Sequence, residues 1–443
     1  MPRDEVARDT IAAVATPVGR GGIGVVRVSG PKAPDIARSL LGQLPEPRHA
    51  TFASFSDRSG ERIDDGIALY FPAPHSYTGE AVLELQGHGG PVVMRALLGA
   101  CFEAGARLAE PGEFTRRAFL EGKLDLAQAE AVADLIDAAS REAARSALRS
   151  LSGEFSAAVH SLVARLTELR ALTEAMLDFP EEEVDSLHRD DAAGRLRGVR
   201  GDLADLLAKS RQGKLLATGI RVVIAGRPNV GKSSLLNRLA GEERAIVTPL
   251  AGTTRDALRE PIEIGGVPIV LVDTAGLRSS VDEIERLGIE RTQHELASAD
   301  VVLAVFEAGS VAEPLEGLPA GTARILVFNK LDLVPGFHAP EGSYAAVAVS
   351  AKTGAGIDAL RDAVLRAAGW SSTGESVFLA RERHLYALER ARLHLDAAER
   401  ENLRWEFFAE ELRLAQVALG EITGELTADD LLGEIFSRFC IGK

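Results

Sequence analysis

Gly226-Arg227-Pro228-Asn229-Val230-Gly231-Lys232-Ser233 sets two glycines, an ammonium and a hydroxyl at the spacing of a loop that wraps phosphates. It follows the apolar run IRVVIAG and opens SSLLNRLAG, the strand-then-helix context that such a loop requires. Backbone N–H groups from Asn229 to Ser234 can surround phosphate oxygens, and the helix N-terminus adds its dipole. Lys232 reaches the outer phosphates, and Ser233 offers its hydroxyl to magnesium. Downstream, VPIVLVD ends in Asp273-Thr274-Ala275-Gly276, where the carboxylate can hold that ion through water while Gly276 faces the outer phosphate. Asn329-Lys330-Leu331-Asp332 ends RILVFN, and Ser350-Ala351-Lys352 ends YAAVAVS. An aspartate there accepts the two N–H groups that guanine shows and adenine lacks, with the Ser-Ala-Lys turn supporting from the other side. The expected substrate is therefore GTP.

Between the phosphate loop and Asp273 lies Thr248-Pro249-Leu250-Ala251-Gly252-Thr253-Thr254, a polar switch segment also assigned to the nucleotide. Thr254 is the residue expected to complete magnesium coordination when the outer phosphate is present.

These motifs need rigid elements to hold them. The runs IRVVIAG, VPIVLVD, VVLAVF, RILVFN and YAAVAVS read as strands of a parallel sheet covered on both faces, with GIDALRDAVLRAA an amphipathic helix after the last. This predicts an α/β domain over 217–372. On its N-terminal side, Leu148, Leu151, Phe155, Val159, Leu162, Leu166, Leu169 and Met176 recur at three and four, as on one face of a single long helix stopped by Phe179-Pro180. A second helix is expected from about Ala192 to Ser210. The helical period vanishes at Gly219 and returns near Ala380, which predicts a helical domain (119–216 and 373–443) interrupted by the α/β insert. Residues 1–118 read as a small α+β domain, with strands IAAVATPV, GVVRVSG, IALYFPA and AVLELQG and a helix in PVVMRALLGACFEAG.

The 443 residues are 46% hydrophobic and 26% charged, with a formal net charge of −15. A polyanion such as RNA is repelled by this balance, so an RNA contact needs a local basic patch or a helper protein. The N-terminus has no sustained apolar core, and no run approaches the roughly 18 residues of a spanning helix, so a cytoplasmic chain is expected. Cys101 and Cys440 cannot build a disulfide framework or a four-ligand zinc site. Cys101 sits in a packed helix pattern. His88 in QGHGG is either a turn histidine or a site residue. The apolar stripe Leu431-Leu432, Ile435-Phe436, Phe439 and Ile441 predicts that the C-terminal tail docks against protein.

The insert resembles the G domain of the translation-factor-like GTPases. GRPNVGKSSLLN, IVTPLAGTTRD and DTAGLR inside a helical domain ending in FCIGK, together with ATPVGRGGIGVVRVSG, YTGEAVLELQGHGGP and PGEFTRRAFLEGKLDLAQAEAVADLI, extend the resemblance over the whole chain to the MnmE/TrmE family of tRNA modification GTPases. The resemblance implies an N-terminal folate-binding and dimerisation domain, and a helical bundle interrupted by a Ras-like P-loop G domain. Ras carries a water-positioning glutamine where this chain has Leu277. The family instead uses a potassium ion, held when two G domains meet, and this implies ligands at Asn229, Thr248, Leu250 and Thr253, with Glu285 as the acid that positions water. A solvated helix residue is the plain alternative for Glu285. The resemblance further implies a reduced folate (5-formyl- or methylene-tetrahydrofolate) bound by Arg27, Glu84, Lys123 and Lys443. Arg27 could equally be an edge-strand charge, and Glu84 could pair with a neighbour. Cys440 is carried as a candidate nucleophile beside Lys232 and Glu285 as catalytic residues. The implied reaction places a carboxymethylaminomethyl or aminomethyl group at C5 of the wobble uridine of tRNAs. Its implied partners are a second copy as homodimer, the FAD- and NADH-using MnmG/GidA flavoprotein in a heterotetramer, and tRNA. A GTP-dependent binding switch in ribosome assembly is the alternative, but it would need a basic RNA-binding module after the G domain, where this chain has amphipathic helix.

Overall fold

Period-two apolar alternation in the first hundred residues builds a sheet with one face packed along its centre and the other covered locally at β1. The computed structural model describes residues 9–178, 185–242, 259–273, 294–312, 321–371, 377–401, 404–425, 429–437 and 439–442. The chain divides into two compact units, Met1–Ala133 with Gly420–Lys443, and Asp134–Leu419.

In the first unit, β1 (Ile11–Val14), β2 (Gly21–Ser29), β3 (Thr51–Ser56), β4 (Arg62–Phe71), β5 (Val82–Gly89) and β6 (Arg107–Leu108) form a six-stranded sheet. Its order is β3-β4-β5-β2-β1-β6, antiparallel except where β6 runs parallel to β1. One face carries Val26, Val28, Leu83 and Leu85, which pack with Ile36 and Leu40 of α1 (Ala33–Leu41) and Met94 and Leu97 of α2 (Pro91–Glu103). On the other face Ile11 and Ala13 of β1 cluster with Ala109 and Phe114, the latter on α3 (Glu113–Leu120). The strand TFASFS was not legible in advance. It is an edge strand rich in Ser and Thr, and Phe52 on it is exposed.

The C-terminal helix Asp429–Ser437 returns to this unit, where Leu432, Ile435, Phe436 and Phe439 pack with Leu126 and Ala129 at the start of α4 (Leu126–Asp137). The apolar tail is thus docked, with Ile441 half exposed and bridged to Pro111 rather than buried.

The second unit holds helices and a second sheet. The single long helix expected through Leu148 and Met176 is two helices, α5 (Arg141–Leu151) and α6 (Glu154–Asp178). Gly153, at φ 89°, breaks the ladder between them, and Leu148 lies exposed off the buried stripe. The helix expected over Ala192–Ser210 extends in both directions as α7 (Asp185–Thr218). Phe155, Val159, Leu162, Leu166 and Leu169 of α6 are buried, as are Leu196, Val199, Leu203 and Leu206 of α7.

Between α7 and the later helices, the chain runs through β7 (Ile220–Gly226), α8 (Lys232–Glu242), β8 (Arg259–Ile264), β9 (Val267–Asp273), β10 (Val301–Glu307), β11 (Ala323–Asn329), β12 (Ala345–Ala348) and α9 (Ile357–Ala367). The sheet order is β12-β11-β10-β7-β9-β8. All pairings are parallel except the antiparallel edge strand β8, which lacks a continuous apolar run and was not foreseen. α10 (Glu382–Arg400) packs on α7, and α11 (Trp405–Thr423) follows. The architecture is a helical bundle interrupted in sequence by an α/β domain.

α5 belongs to both parts. Ala143 and Ala147 join the core of the second sheet. Ser140, Ser146 and Ser150 donate their hydroxyls to the carbonyls of Gly266 (2.6 Å), Val377 (2.8 Å) and Leu379 (3.2 Å).

Candidate functional site

Parallel strands β7, β9, β10 and β11 all point their C-terminal ends the same way, and the loops after them carry the motif residues. The phosphate loop spans the gap between Gly226 at the end of β7 and Lys232 at the start of α8. Asn229 sits at φ 65° and Gly231 at φ 91° within it. A Cβ on Gly231 would lie 2.3 Å from the Asn329 amide nitrogen, so the glycine is required by a close approach as well as by its backbone angle. Lys232 is buried, and its ammonium donates to the carbonyls of Gly226 (3.0 Å) and Arg227 (2.8 Å), folding the side chain back over the loop. The Ser233 hydroxyl donates to Asp273 Oδ2 at 3.0 Å, and Asp273 is buried at the end of β9. A hydroxyl and a carboxylate at this separation are two hard oxygen donors of the kind magnesium takes. Val230 is buried beside them, and Ser234 is exposed in the first turn of α8.

The base end is built by Asn329. This residue is 2% exposed, and its amide donates to the carbonyl of Val230 at 2.9 Å while its carbonyl accepts the Ala351 N–H at 3.0 Å. One side chain therefore ties the phosphate loop to both loops of the base site. Lys330 turns the chain at φ 65°, and its ammonium pairs with Glu307 at the end of β10. The Leu331 N–H bonds the carbonyl of Val349 at 3.0 Å. Asp332 is held by the Ser350 hydroxyl at 2.6 Å, which keeps its carboxyl below the ordinary value; Lys352 acts in the same direction. Asp332 is thus an anion with one oxygen fixed.

Sequence reasoning missed Arg238. From α8 its guanidinium donates to the carbonyls of Ala351 (2.9 Å) and Lys352 (2.6 Å), bracing the Ser-Ala-Lys turn. Nothing in SSLLNRLAG signals a partner so distant in sequence.

In the first unit, Arg27 and Glu84 are brought together. They face each other across β2 and β5, with the guanidinium donating to Glu84 Oε1 at 2.9 Å. The rings of Tyr77 and Phe114 lie 5.5 and 5.8 Å from the guanidinium. The Lys123 stem runs against Gly79, two residues along from Tyr77. The same unit holds a partly buried ionic network centred on Arg117, which PGEFTRR does not signal. Arg117, 3% exposed, donates to Glu80 (2.9 Å) and Asp9 (2.7 Å), and Arg107 donates to Glu113 at 2.6 and 2.8 Å. Burial pushes the Glu113 carboxyl up, but bonds from Arg107 and the Glu110 N–H, with Arg117 nearby, outweigh it and leave the value below the ordinary range. Ser29 donates to Glu80 at 2.7 Å, completing that carboxylate's shell.

Cys101 is buried and its thiol is pushed up to about 12 by desolvation, the state of an inert core residue. Cys440 is exposed in the docked tail. His88 is exposed, with its N–H (2.7 Å) and Nδ1 (2.8 Å) on the Asp64 carboxylate. Thr248 to Thr254, Thr274 to Gly276, Leu277, Glu285 and Lys443 lie outside the described residues. Among the described residues no helix is long and apolar enough to cross a membrane.

A family model described as the MnmE helical domain matches residues 126–440, and one described as the GTP-binding protein TrmE N-terminus matches 10–123. The tRNA modification GTPase MnmE of Thiobacillus denitrificans is 59% identical over 440 residues, covering 98% of each chain. The chain belongs to the MnmE family of tRNA modification GTPases. The MnmE of an Azoarcus species is 61% identical over 445 residues, again covering 98% of each chain. Among solved structures, the G domain of the Thermotoga maritima FeoB iron transporter covers 34% of this chain and 98% of its own, at 25% identity and a TM-score of 0.26.

Proposed function

We propose that this MnmE-family chain couples potassium-dependent GTP hydrolysis to installation of a carboxymethylaminomethyl or aminomethyl group at C5 of the wobble uridine of tRNAs. The observation that carries the nucleotide half is the Asn329 clasp, which joins the phosphate loop to the Asp332 and Ser350 loops. Ser233 and Asp273, with Thr254 from the switch segment, would hold magnesium. Asn229, Thr248, Leu250 and Thr253 would hold potassium, which supplies positive charge where the transition state gathers negative charge. Glu285 would position water, so that Leu277 needs no polar role.

The Arg27–Glu84 pair supports the folate half. A carboxylate accepts from an amino-pyrimidine edge, and Arg or Lys meets the ligand's own carboxylates, with Lys123 and Lys443 completing the set. A reduced folate bound there supplies the one-carbon unit. We further propose that the chain works in the cytoplasm as a homodimer joined through residues 1–118, and that the MnmG/GidA flavoprotein completes a heterotetramer carrying much of the tRNA grip that a net charge of −15 discourages here. The G domain (217–372) then acts as the drive, and the helical segments (119–216 and 373–443) transmit its motion.

The test is GTP turnover in potassium against sodium at equal ionic strength, for wild type and Asn229→Lys. Stimulation by potassium that Asn229→Lys abolishes supports the reading. Equal rates in both salts for wild type overturn it.

A further inference from the structure

α3 and the two residues before it reach three different parts of the first unit. Its N-cap, Gly112, lies at φ 66° and donates its N–H to the Cys440 carbonyl at 3.4 Å. A Cβ there would fall 2.7 Å from the Phe436 carbonyl and 3.0 Å from Phe439 Cβ, so the cap is pressed against the tail. Pro111 and Ile441 add an antiparallel bridge, and Gly442 rests on the Val14 carbonyl. In the first turn, Phe114 is fully buried with its ring against the Arg27 guanidinium, and the Thr115 hydroxyl bonds the Tyr77 hydroxyl at 2.9 Å. Arg117 at the other end is fixed by Glu80 and Asp9.

We propose that α3 couples seating of the C-terminal tail to occupancy of the Arg27–Glu84 pair, so that a reduced folate bound there and the docked tail stabilise each other. This rests on the folate reading above. A ligand that draws on Arg27 or Glu84 must reset the guanidinium against Phe114 and Tyr77. Both rings are tied to α3, one by covalent bond and one through Thr115. The helix is close-packed and pinned by Arg117, so it responds as a body rather than residue by residue. Its cap, with Phe119, forms one edge of the tail's seat beside Leu126 and Ala129, and a ligand that orders one end favours docking at the other. By linkage the effect is reciprocal. Phe114, Thr115 and Tyr77 are positioning residues in this scheme.

The experiment is hydrogen–deuterium exchange on the full chain, following peptides from 429–442, with and without saturating 5-formyl-tetrahydrofolate whose binding is measured by calorimetry. The expected result, read in a Lys443→Ala background so that the direct contact assigned to that residue drops out, is tail exchange slowed several-fold by the folate, lost when Thr115→Val is added although that protein still binds folate, and restored with Thr115→Ser. Unchanged tail exchange with folate bound, or the same slowing in Thr115→Val, overturns the coupling. Absence of calorimetric binding to wild type overturns the folate reading itself and the coupling with it.

Discussion

Asn329→Ala removes the side chain that joins the phosphate loop to the base loops. Two buried groups lose their partners, the Ala351 N–H at 3.0 Å and the Val230 carbonyl at 2.9 Å. Each buried group left unsatisfied costs about 1–3 kcal/mol, and some relaxation of the loops brings the pair to about 2–4 kcal/mol. The nucleotide binds the clasped arrangement, so this loss falls on affinity. At about 1.4 kcal/mol per factor of ten, guanine nucleotide should bind roughly 30- to 1000-fold more weakly. Asn329→Asp should do no better, because a carboxylate oxygen would replace the amide donor facing the Val230 carbonyl. The assay is stopped-flow fluorescence with a labelled GDP, beside circular dichroism to show that the fold persists. A folded Asn329→Ala protein whose affinity lies within threefold of wild type would refute the clasp.

Other outcomes follow from the same geometry. Asp332→Asn exchanges one acceptor for an amide donor, so preference should shift from GTP toward xanthosine triphosphate, read by competition binding; retained GTP preference would place the base elsewhere. The depressed Glu113 value means that its contribution to stability is complete above the ordinary carboxylate value of about 4.3 and is lost as pH falls through the lower folded value. Urea unfolding at stepped pH should show a stability drop below about pH 4 that is smaller in Glu113→Gln; identical slopes for the two proteins would remove Glu113 from the account. A thiol reagent should modify Cys440 quickly and Cys101 after unfolding, because Cys101 is buried with its thiol pushed up to about 12. Two fast thiols in native buffer would contradict that packing.

Much of the second sheet was legible because its parallel strands read as apolar runs, the inner ones buried as in IRVVIAG and VVLAVF, and the parallel edge strand in YAAVAVS apolar although only partly buried. The edge strands REPIEI and TFASFS were not legible, since an edge needs no such run and each mixes polar with apolar residues. The break at Gly153 leaves no mark on the apolar spacing, which continues across it; a single glycine at φ 89° ends the helix without disturbing the pattern. The phosphate-loop, Asp273 and Asn329 motifs sit at strand ends, the position their local spacing expects. Arg238 and Arg117 were not legible, because their partners are brought near by the fold, Arg238 meeting Ala351 and Arg117 meeting Asp9. Arg27 and Glu84 lie between these cases. Resemblance named them, and pairing of β2 with β5 sets them face to face.

The most direct measurement is chromatographic nucleoside analysis of tRNA from cells lacking this chain, complemented with wild type or with Lys232→Ala. The account predicts that the C5-modified wobble uridines vanish on deletion, return with wild type and stay absent with Lys232→Ala, whose phosphate loop has lost its ammonium. Full modification in the deleted cells, or full rescue by Lys232→Ala, would contradict it.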